Sequence, residues 1–511
     1  MRRGADLVAG ALARAGTKYL FSLSGNHVMP VFDAALDAKL PIVHVRHEAA
    51  AVHMADCWGR LTGEPGVALV TGGPGHGNAV GALYTALAAD SPMVLLSGHA
   101  PSHELGKGAF QELAQGEMAA PAAKASWTVR LAESLAIDLA HAFRTARSGR
   151  PGPVHLSLPV DFLEAKLDAE LPPLEQFLPE AHPPQDPREA LEALGEAKRP
   201  LIVAGPAFAN ARGRARLTEF ERATGVPSLV MESPRGVNDP SLGLLAEALK
   251  RADAVVLAGK PRDFTLKFGA AFAADCRVAD IDIDADLLSL SREIGGKKGG
   301  WLEEVRAMLA WRPAAWSALH SDTAGPVHPV EVAGEVQKLL DAPEAVLVAD
   351  GGEFGQWSQA ALRATHRVIN GPAGSIGAAL PFAAAARLAV PGARVVAMLG
   401  DGTFGFHCAE LDTAVRHQLP YVAVVGNDAC WNAEHQIQRR AYGPERTHGC
   451  ELLPTRYDQV AAGFGAHGEY VERRAELAPA LARAAAAGKA ACVNVMIERL
   501  PAPTYQREKP A

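Results

Sequence analysis

Short apolar runs alternate with longer Ala-rich stretches along the first third of the chain. The runs fall at residues 19–21, 41–43, 67–70 and 92–96. Runs this short, rich in β-branched and aromatic residues, are typical of buried strands, whereas the stretches between them are long enough for helices. This alternation predicts βαβ units on a parallel sheet.

The same plan recurs twice further along the chain. Comparable runs lie at residues 200–205 and 254–259, and again at 345–348, 394–399 and 421–425. Two Pro-rich stretches, residues 166–190 with His182-Pro183-Pro184 and residues 312–329, separate the segments. We therefore predict an α/β protein of three doubly wound parallel-sheet domains in series, at residues 1–165, 186–312 and 326–511. The length of 511 residues fits three domains of roughly 150 residues each.

Composition excludes several classes of function. The chain has 50 basic and 57 acidic residues, a net charge of −7 and no Lys/Arg-rich block, so nucleic acid is not an expected partner. No apolar run approaches the roughly 18 residues of a membrane span, so no membrane association is expected. Asp6 and Arg14 interrupt the apolar start, which favours a first amphipathic helix over a signal peptide. The six cysteines are far apart and form no CxxC, which predicts a cytoplasmic protein without zinc or disulfides.

The most informative segment is Gly400-Asp401-Gly402-Thr403, between an apolar run and a predicted helix at Cys408–His417. Ligands of parallel sheets collect at the carboxyl ends of the strands. Backbone N–H groups of such a turn favour phosphate, and Asp401 offers a hard oxygen ligand. Asp428 follows the next run, 27 positions on, and could reach the same ion. The pair predicts a divalent metal that bridges the protein to a diphosphate, although Asp-Gly alone is a common turn.

Four further segments accompany this pair. His47-Glu48 stands between a strand and a helix, and the Gly-rich turn from Thr71 to Asn78 fits no GxGxxG register. Phe110-Gln111-Glu112 and Gly374-Ser375-Ile376-Gly377 complete the set. Taken together, the segments resemble the thiamine-diphosphate-dependent enzymes of the acetolactate synthase, benzaldehyde lyase and 2-hydroxyacyl-CoA lyase group, and the resemblance covers nearly the whole chain.

The resemblance implies thiamine diphosphate and Mg²⁺ as cofactors and a role for each segment. Glu48 would bond the aminopyrimidine ring and activate the cofactor, Gln111 would face the reacting carbon, and His27 would relay protons. His47, His76 and His99 would lie near the site, and Trp431 would wall the substrate pocket or pack in the core. The metal ligands would be Asp401, Asp428 and the backbone carbonyl of Cys430. Other cofactor contacts would come from Gly75, Asn78, Gly374, Ile376, Gly400, Gly402 and Thr403.

The chain departs from the family pattern at two places. Asp428 stands where the family has a second Asn, and its added negative charge should weaken cofactor affinity unless a nearby donor compensates. The middle segment lacks the GMHG-like and RFDD-like segments that bind FAD in acetolactate synthases, so whether FAD or ADP binds there stays open.

Three functions remain as alternatives. Asp428 and the short middle domain favour a 2-hydroxyacyl-CoA lyase or benzaldehyde-lyase-like carboligase, whereas Phe110-Gln111-Glu112 favours acetolactate-synthase-like condensation. The third is a non-catalytic relative that retains the fold. The expected substrates are small 2-keto or 2-hydroxyacyl compounds. Because the family builds each site from two subunits, the resemblance implies a homodimer or homotetramer.

Overall fold

A computed structural model describes residues 1–180, 186–294, 296, 299–319, 321–322 and 324–505 of the chain. The segment His182-Pro183-Pro184, which the sequence places in the first Pro-rich stretch, lies outside these residues. The chain divides into two units, Met1–Pro183 and Pro184–Ala511.

The first unit is built on a six-stranded parallel sheet and a two-stranded antiparallel ribbon. Its strands are β1 (Arg2–Arg3), β2 (Leu20–Ser22), β3 (Ile42–His44), β4 (Gly66–Val70), β5 (Met93–His99), β6 (Ala125–Thr128), β7 (Pro153–Pro159) and β8 (Lys166–Leu167). Its helices are α1 (Gly4–Arg14), α2 (Met29–Asp37), α3 (Glu48–Thr62), α4 (Pro74–Ala88), α5 (Gln115–Ala119), α6 (Leu135–Arg147) and α7 (Val160–Glu164). The parallel sheet has the order β3-β2-β4-β5-β7-β6, and β1 pairs with β8.

The second unit holds two parallel sheets. The four-stranded sheet comprises β9 (Pro200–Ala204), β10 (Ser228–Val230), β11 (Ala254–Ala258) and β12 (Arg277–Ile281), and the six-stranded sheet comprises β13 (Ala345–Asp350), β14 (His366–Ile369), β15 (Arg394–Gly400), β16 (Val422–Asn427), β17 (His467–Val471) and β18 (Ala491–Met496). Their spatial orders are β10-β9-β11-β12 and β14-β13-β15-β16-β18-β17.

Helices accompany both sheets of the second unit. They are α8 (Arg188–Glu196), α9 (Ala211–Thr224), α10 (Leu245–Arg251), α11 (Leu287–Ile294), α12 (Trp301–Ala310), α13 (Pro329–Leu340), α14 (Glu353–Ala361), α15 (Ala379–Ala389), α16 (Asp401–His407), α17 (Glu410–Arg416), α18 (Asn432–Tyr442), α19 (Tyr457–Gly463) and α20 (Arg474–Ala486). Among the described residues, no helix has both the length and the apolarity that a bilayer crossing requires.

The predicted fold class is confirmed: the protein is α/β, with three parallel-sheet layers in series. Each apolar run of the sequence overlaps a strand. Strands β4, β5 and β7 are buried along their whole length, as expected for parallel strands covered by helices on both faces. One local expectation is wrong. The helix predicted at Cys408–His417 begins earlier, at Asp401, and is interrupted before it resumes at Glu410.

The two six-stranded sheets share one strand order. Numbered within its own sheet, each runs 2-1-3-4-6-5, so the direction of winding reverses between its first and third strands. Such a reversal leaves a crevice outside the carboxyl ends of those strands, where ligands of α/β sheets bind. In the first sheet the reversal lies between β2 and β4, and in the last sheet between β13 and β15.

Candidate active site

Two carboxylates follow neighbouring strands of the last sheet. Asp401 comes directly after β15 and Asp428 directly after β16, and the residues Gly400 and Gly426 near the ends of these strands are paired in the parallel ladder. Asp401 is only 3% exposed, and its Oδ2 accepts a hydrogen bond from the backbone N–H of Cys430 at 3.2 Å. The structure therefore brings together the three residues that the sequence predicts as metal ligands.

The pKa values of both carboxyl groups are raised, which indicates that the ionised pair would be stabilised by a cation. Burial raises the pKa of Asp401 to about 6. Burial, and then the negative charge of Asp401, raise the pKa of Asp428 to about 7. Two neighbouring carboxylates, of which Asp401 is buried and Asp428 partly buried, are unfavourable when both are ionised, and a divalent cation bound to oxygen ligands would remove that penalty. The donor set thus fits Mg²⁺.

The space in front of the carboxylates is narrow and shaped by glycines. A Cβ atom on Gly402 would lie 2.6 Å from the indole ring of Trp431, so the helix start and the ring are in close contact. Trp431 also meets the ring of Phe406 edge-on, with centroids 6.3 Å apart. Seven of the predicted residues line one cavity of about 70 Å³, with Trp431 beside them: Ile376, Gly400, Asp401, Gly402, Thr403, Asp428 and Cys430. The predicted contact residue Gly374 is not among the residues that line it.

Asp350, which the sequence reasoning missed, shapes the neighbouring segment. It ends β13 and is fully buried, and burial raises its pKa to about 6. Its Oδ2 accepts hydrogen bonds from the backbone N–H groups of Gly377 at 2.9 Å and Ala379 at 3.0 Å. Asp350 therefore fixes the loop that carries Ile376. The available signal was an Asp directly after an apolar run and before Gly351-Gly352.

Arg499 is the second residue that sequence reasoning missed. Its Nη2 donates to the carbonyl oxygens of Asp428 at 2.9 Å and Ala429 at 3.2 Å. Ala429 has a φ of +54°, a left-handed conformation that is uncommon outside glycine. The guanidinium thus binds the strained turn that carries the predicted ligands.

In the first unit, Glu48 is the first residue of α3 and is 9% exposed. Its Oε2 accepts a hydrogen bond from Nδ2 of Asn78 at 3.1 Å. A Cβ atom on Gly75 would lie 3.4 Å from Oε1 of Glu48 and 2.7 Å from Cγ2 of Thr71. The missing side chain leaves room beside the carboxylate, which suits the close approach of a flat ring. The structure brings Glu48, Gly75 and Asn78 together as expected.

His27 and Gln111 lie around the same turn. The His27 ring is buried, its Nδ1 is 3.3 Å from Oγ1 of Thr71, and burial lowers its pKa, so the neutral form prevails at pH 7. Gln111 has a φ of +58°, and a Cβ atom on Gly73 would lie 2.5 Å from its carbonyl oxygen. The ring of Phe110 lies 6.1 Å from that of His27 and is largely exposed. These residues therefore lie close together beside the Gly-rich turn.

Gln115, which was not predicted, holds the Gly-rich turn in place through its side-chain amide. Its Oε1 accepts the backbone N–H of Gly73 at 2.8 Å. Its Nε2 donates to the carbonyl of Gly98 at 3.2 Å and to Oγ of Ser157 at 3.0 Å. One buried amide thus joins the carboxyl ends of β4, β5 and β7.

Of the other histidines that the sequence predicts near the site, His47 and His76 have hydrogen-bond partners close by. Nδ1 of His47 accepts the backbone N–H of Ala49 at 3.1 Å, which caps α3. His76 is fully buried against the ring of His155, its Nδ1 is 2.9 Å from Oγ of Ser97, and burial lowers its pKa to about 4. Burial also lowers the pKa of His99. At pH 7 His76 and His99 are therefore neutral.

Two parts of the chain match known family descriptions. Residues 2–118 match "Thiamine pyrophosphate enzyme, N-terminal TPP binding domain" and residues 350–495 match "Thiamine pyrophosphate enzyme, C-terminal TPP binding domain". A probable acetolactate synthase of Mycobacterium bovis is 32% identical and aligns with 98% of this chain and 96% of its own length. The chain belongs to the thiamine pyrophosphate enzyme family. The 2-hydroxyacyl-CoA lyase 2 of Homo sapiens is 31% identical and aligns with 93% of this chain and 86% of its own length.

As a member of this family, the protein is a thiamine-diphosphate-dependent enzyme of the lyase and transferase class. The residues around Glu48 lie within the first matched range, and the cavity residues from Ile376 to Cys430 lie within the second. Arg499 lies beyond the second range, so the family description does not account for it.

Proposed function

We propose that this enzyme uses thiamine diphosphate and Mg²⁺ to break or form a C–C bond next to a carbonyl group. The substrates would be 2-keto acids or 2-hydroxyacyl compounds, with chemistry like that of a 2-hydroxyacyl-CoA lyase or a benzaldehyde lyase. The observation that carries the proposal is the pair of neighbouring carboxylates Asp401 and Asp428, whose raised pKa values show that ionising both is costly without a cation.

Two parts of the protein would hold the cofactor. Asp401, Asp428 and the carbonyl oxygen of Cys430 would hold Mg²⁺, with Thr403 beside the diphosphate and Ile376 against the rings. Glu48 would receive a hydrogen bond from the aminopyrimidine through Oε1, because Asn78 already occupies Oε2. When bound, the cofactor supplies an electron sink for the bond that breaks or forms.

His27 and Gln111 would act on the substrate. The neutral His27 imidazole can accept a proton from a hydroxyl group and return it to a developing alkoxide. Gln111, held in a left-handed conformation, would orient the carbonyl group through its side-chain amide.

Acetolactate-synthase-like condensation is the second candidate. Relatives of both kinds align with more than nine tenths of the chain at almost equal identity, so similarity does not separate them. The segment Phe110-Gln111-Glu112 supports it: the carboxylate of Glu112 accepts the backbone N–H groups of Gly108 at 3.0 Å and Ala109 at 2.9 Å, which orders the loop that presents Gln111.

The deciding experiment supplies both substrate classes to protein loaded with Mg²⁺ and thiamine diphosphate. Release of an aldehyde from 2-hydroxyacyl-CoA thioesters or 2-hydroxy ketones would support the lyase, and acetolactate formed from pyruvate would support the synthase. Glu48→Gln serves as the inactive control, and Glu117→Gln, an exposed carboxylate of the same unit, as its match. Failure of the fully loaded protein to turn over any of these compounds would contradict the proposal.

The organisation around the site is also proposed. Residues 1–165 would bind the pyrimidine, residues 326–511 the diphosphate, and residues 186–312 would form the middle domain. We expect a homodimer or homotetramer, which light scattering of the loaded protein measures.

A further inference from the structure

The three predicted metal ligands, Asp401, Asp428 and the backbone carbonyl of Cys430, form what we call the metal cradle. With a diphosphate bound, this cradle would carry more negative charge than one Mg²⁺ ion neutralises. Asp401 and Asp428 are both carboxylates, and a bound diphosphate would bring further negative charge. Mg²⁺ carries only two positive charges. An amide at position 428 would offer the same kind of oxygen ligand without the charge. Something else must offset the excess, or the cofactor will bind weakly.

Arg499 is placed to do this. It follows β18 and reaches across to the turn after β16, 71 positions away in the chain. Its Nε and Nη2 donate to the carbonyl oxygen of Asp428 at 3.2 and 2.9 Å, and Nη2 also reaches the carbonyl of Ala429. The positive charge of Arg499 therefore lies against the backbone carbonyl of Asp428.

The guanidinium is held by an ion pair that does not cancel its effect on the cradle. Nη1 lies 2.8 Å from Oε1 of Glu451, whose backbone bridges that of Cys430. The Arg499 side chain is 31% exposed, whereas that of Glu451 is 67% exposed. Water screens the exposed carboxylate more strongly than the partly buried guanidinium. Burial and the charge of Asp401 raise the pKa of Asp428, whereas the positive charge of Arg499 lowers it.

We propose that Arg499 is the compensating cation that allows a carboxylate, Asp428, to serve in the metal cradle. The inference rests on the proposed function, because it concerns the affinity for Mg²⁺ and thiamine diphosphate. It differs from a purely structural role, in which Arg499 would only hold the turn in shape. The two roles predict different behaviour when residue 428 loses its charge.

A double-mutant cycle separates them. The protein is stripped of metal and cofactor, and the Kd of the magnesium complex of thiamine diphosphate is measured by calorimetry for wild type, Arg499→Met, Asp428→Asn and the double variant. We expect Arg499→Met to weaken binding about tenfold or more when Asp428 is intact, and only about twofold in the Asp428→Asn background. Arg499→Lys, which retains the charge, should stay within about threefold of wild type.

Arg483→Met is the matched control, since it removes another Arg–Glu pair of the same unit, between Arg483 in α20 and Glu469 in β17. Equal weakening by Arg499→Met in both backgrounds would overturn the inference, as would Arg499→Lys binding as poorly as Arg499→Met. Both outcomes leave the proposed function intact. Wild-type protein that does not bind the complex at all would overturn the proposed function and the inference with it.

Discussion

The neighbouring carboxylates Asp401 and Asp428 predict that metal binding releases protons. In the metal-free protein, burial raises the pKa of Asp401 to about 6, and burial together with the negative charge of Asp401 raises the pKa of Asp428 to about 7. A metal ion binds the ionised forms, so the pair must lose the protons that it holds. At pH 6.5 the pair holds about one proton in total, mostly on Asp428, and at pH 8 it holds about 0.1.

The direction of the pH effect follows from the sign of these shifts. Both pKa values lie above the unfolded value of about 3.9, so the metal-free fold favours the protonated forms and loses stability as pH rises from about 4 to 7. Binding of Mg²⁺ opposes this. The affinity for the metal should therefore fall as pH drops below 7, by about tenfold or more between pH 7 and pH 5.5.

Calorimetry measures the released protons directly. The magnesium complex of thiamine diphosphate is titrated into metal-free protein at pH 6.5 in PIPES and in bis-Tris, whose ionisation enthalpies differ, and the dependence of the heat on the buffer gives the proton count. Asp428→Asn controls for protons that come from the cofactor. We expect wild type to release about 0.7 proton more than Asp428→Asn. A difference below about 0.2 proton would refute the electrostatic reasoning.

Three substitutions test other parts of the site. Glu48→Gln should reduce turnover by about 10²–10⁴-fold without changing the melting temperature, because the cofactor would lose its carboxylate partner. Gly402→Ala places a methyl group 2.6 Å from Trp431 and should cost about 1–3 kcal/mol of folding stability, as seen in urea denaturation. Gln115→Leu leaves the buried N–H of Gly73 unpaired and should cost about 2–4 kcal/mol by the same method, with a rise in KM.

Each of these variants has a counterpart that should behave like wild type. Gly405→Ala lies in the same helix as Gly402, but its added methyl group meets nothing within 4 Å. Gln459→Leu alters an exposed side chain and should leave stability unchanged within about 0.5 kcal/mol. If Gly405→Ala destabilised as much as Gly402→Ala, the Trp431 contact would not explain the loss, because Ala has the higher helix propensity and should by itself favour α16. Normal turnover by Glu48→Gln would remove Glu48 from the activation of the cofactor.

The sequence predicted what depends on local pattern. The apolar runs indicated the strands, because a buried parallel strand is a short continuous apolar segment. Asp401 and Asp428 could be paired in advance, since consecutive strands of such sheets are usually neighbours and β15 and β16 are adjacent. Motif spacing placed Glu48 at the start of a helix, as the structure has it. The roles of the predicted site residues remain predictions.

What the sequence did not indicate depends on contacts between distant residues. Asp350 acts through N–H groups 27 and 29 positions away, and Arg499 through a carbonyl 71 positions away. Gln115 binds the backbone at the ends of two other strands. A hydrogen bond between a side chain and a distant backbone group leaves no pattern in the sequence, because almost any residue can supply the backbone N–H or carbonyl. The start of α16 was missed since two glycines within it lower helix propensity.

Because the two six-stranded sheets share one strand order, residues at equivalent strand ends can be compared, and they differ in charge. Directly after the third strand, the early sheet carries Thr71 and the late sheet carries Asp401; at the end of the fourth strand they carry His99 and, one step further, Asp428. Neutral groups at these two positions suit an aromatic heterocycle, whereas paired acids suit a hard ion. Under the proposed function, one scaffold used twice would bind the organic part of the coenzyme with its early sheet and the ionic part with its late sheet.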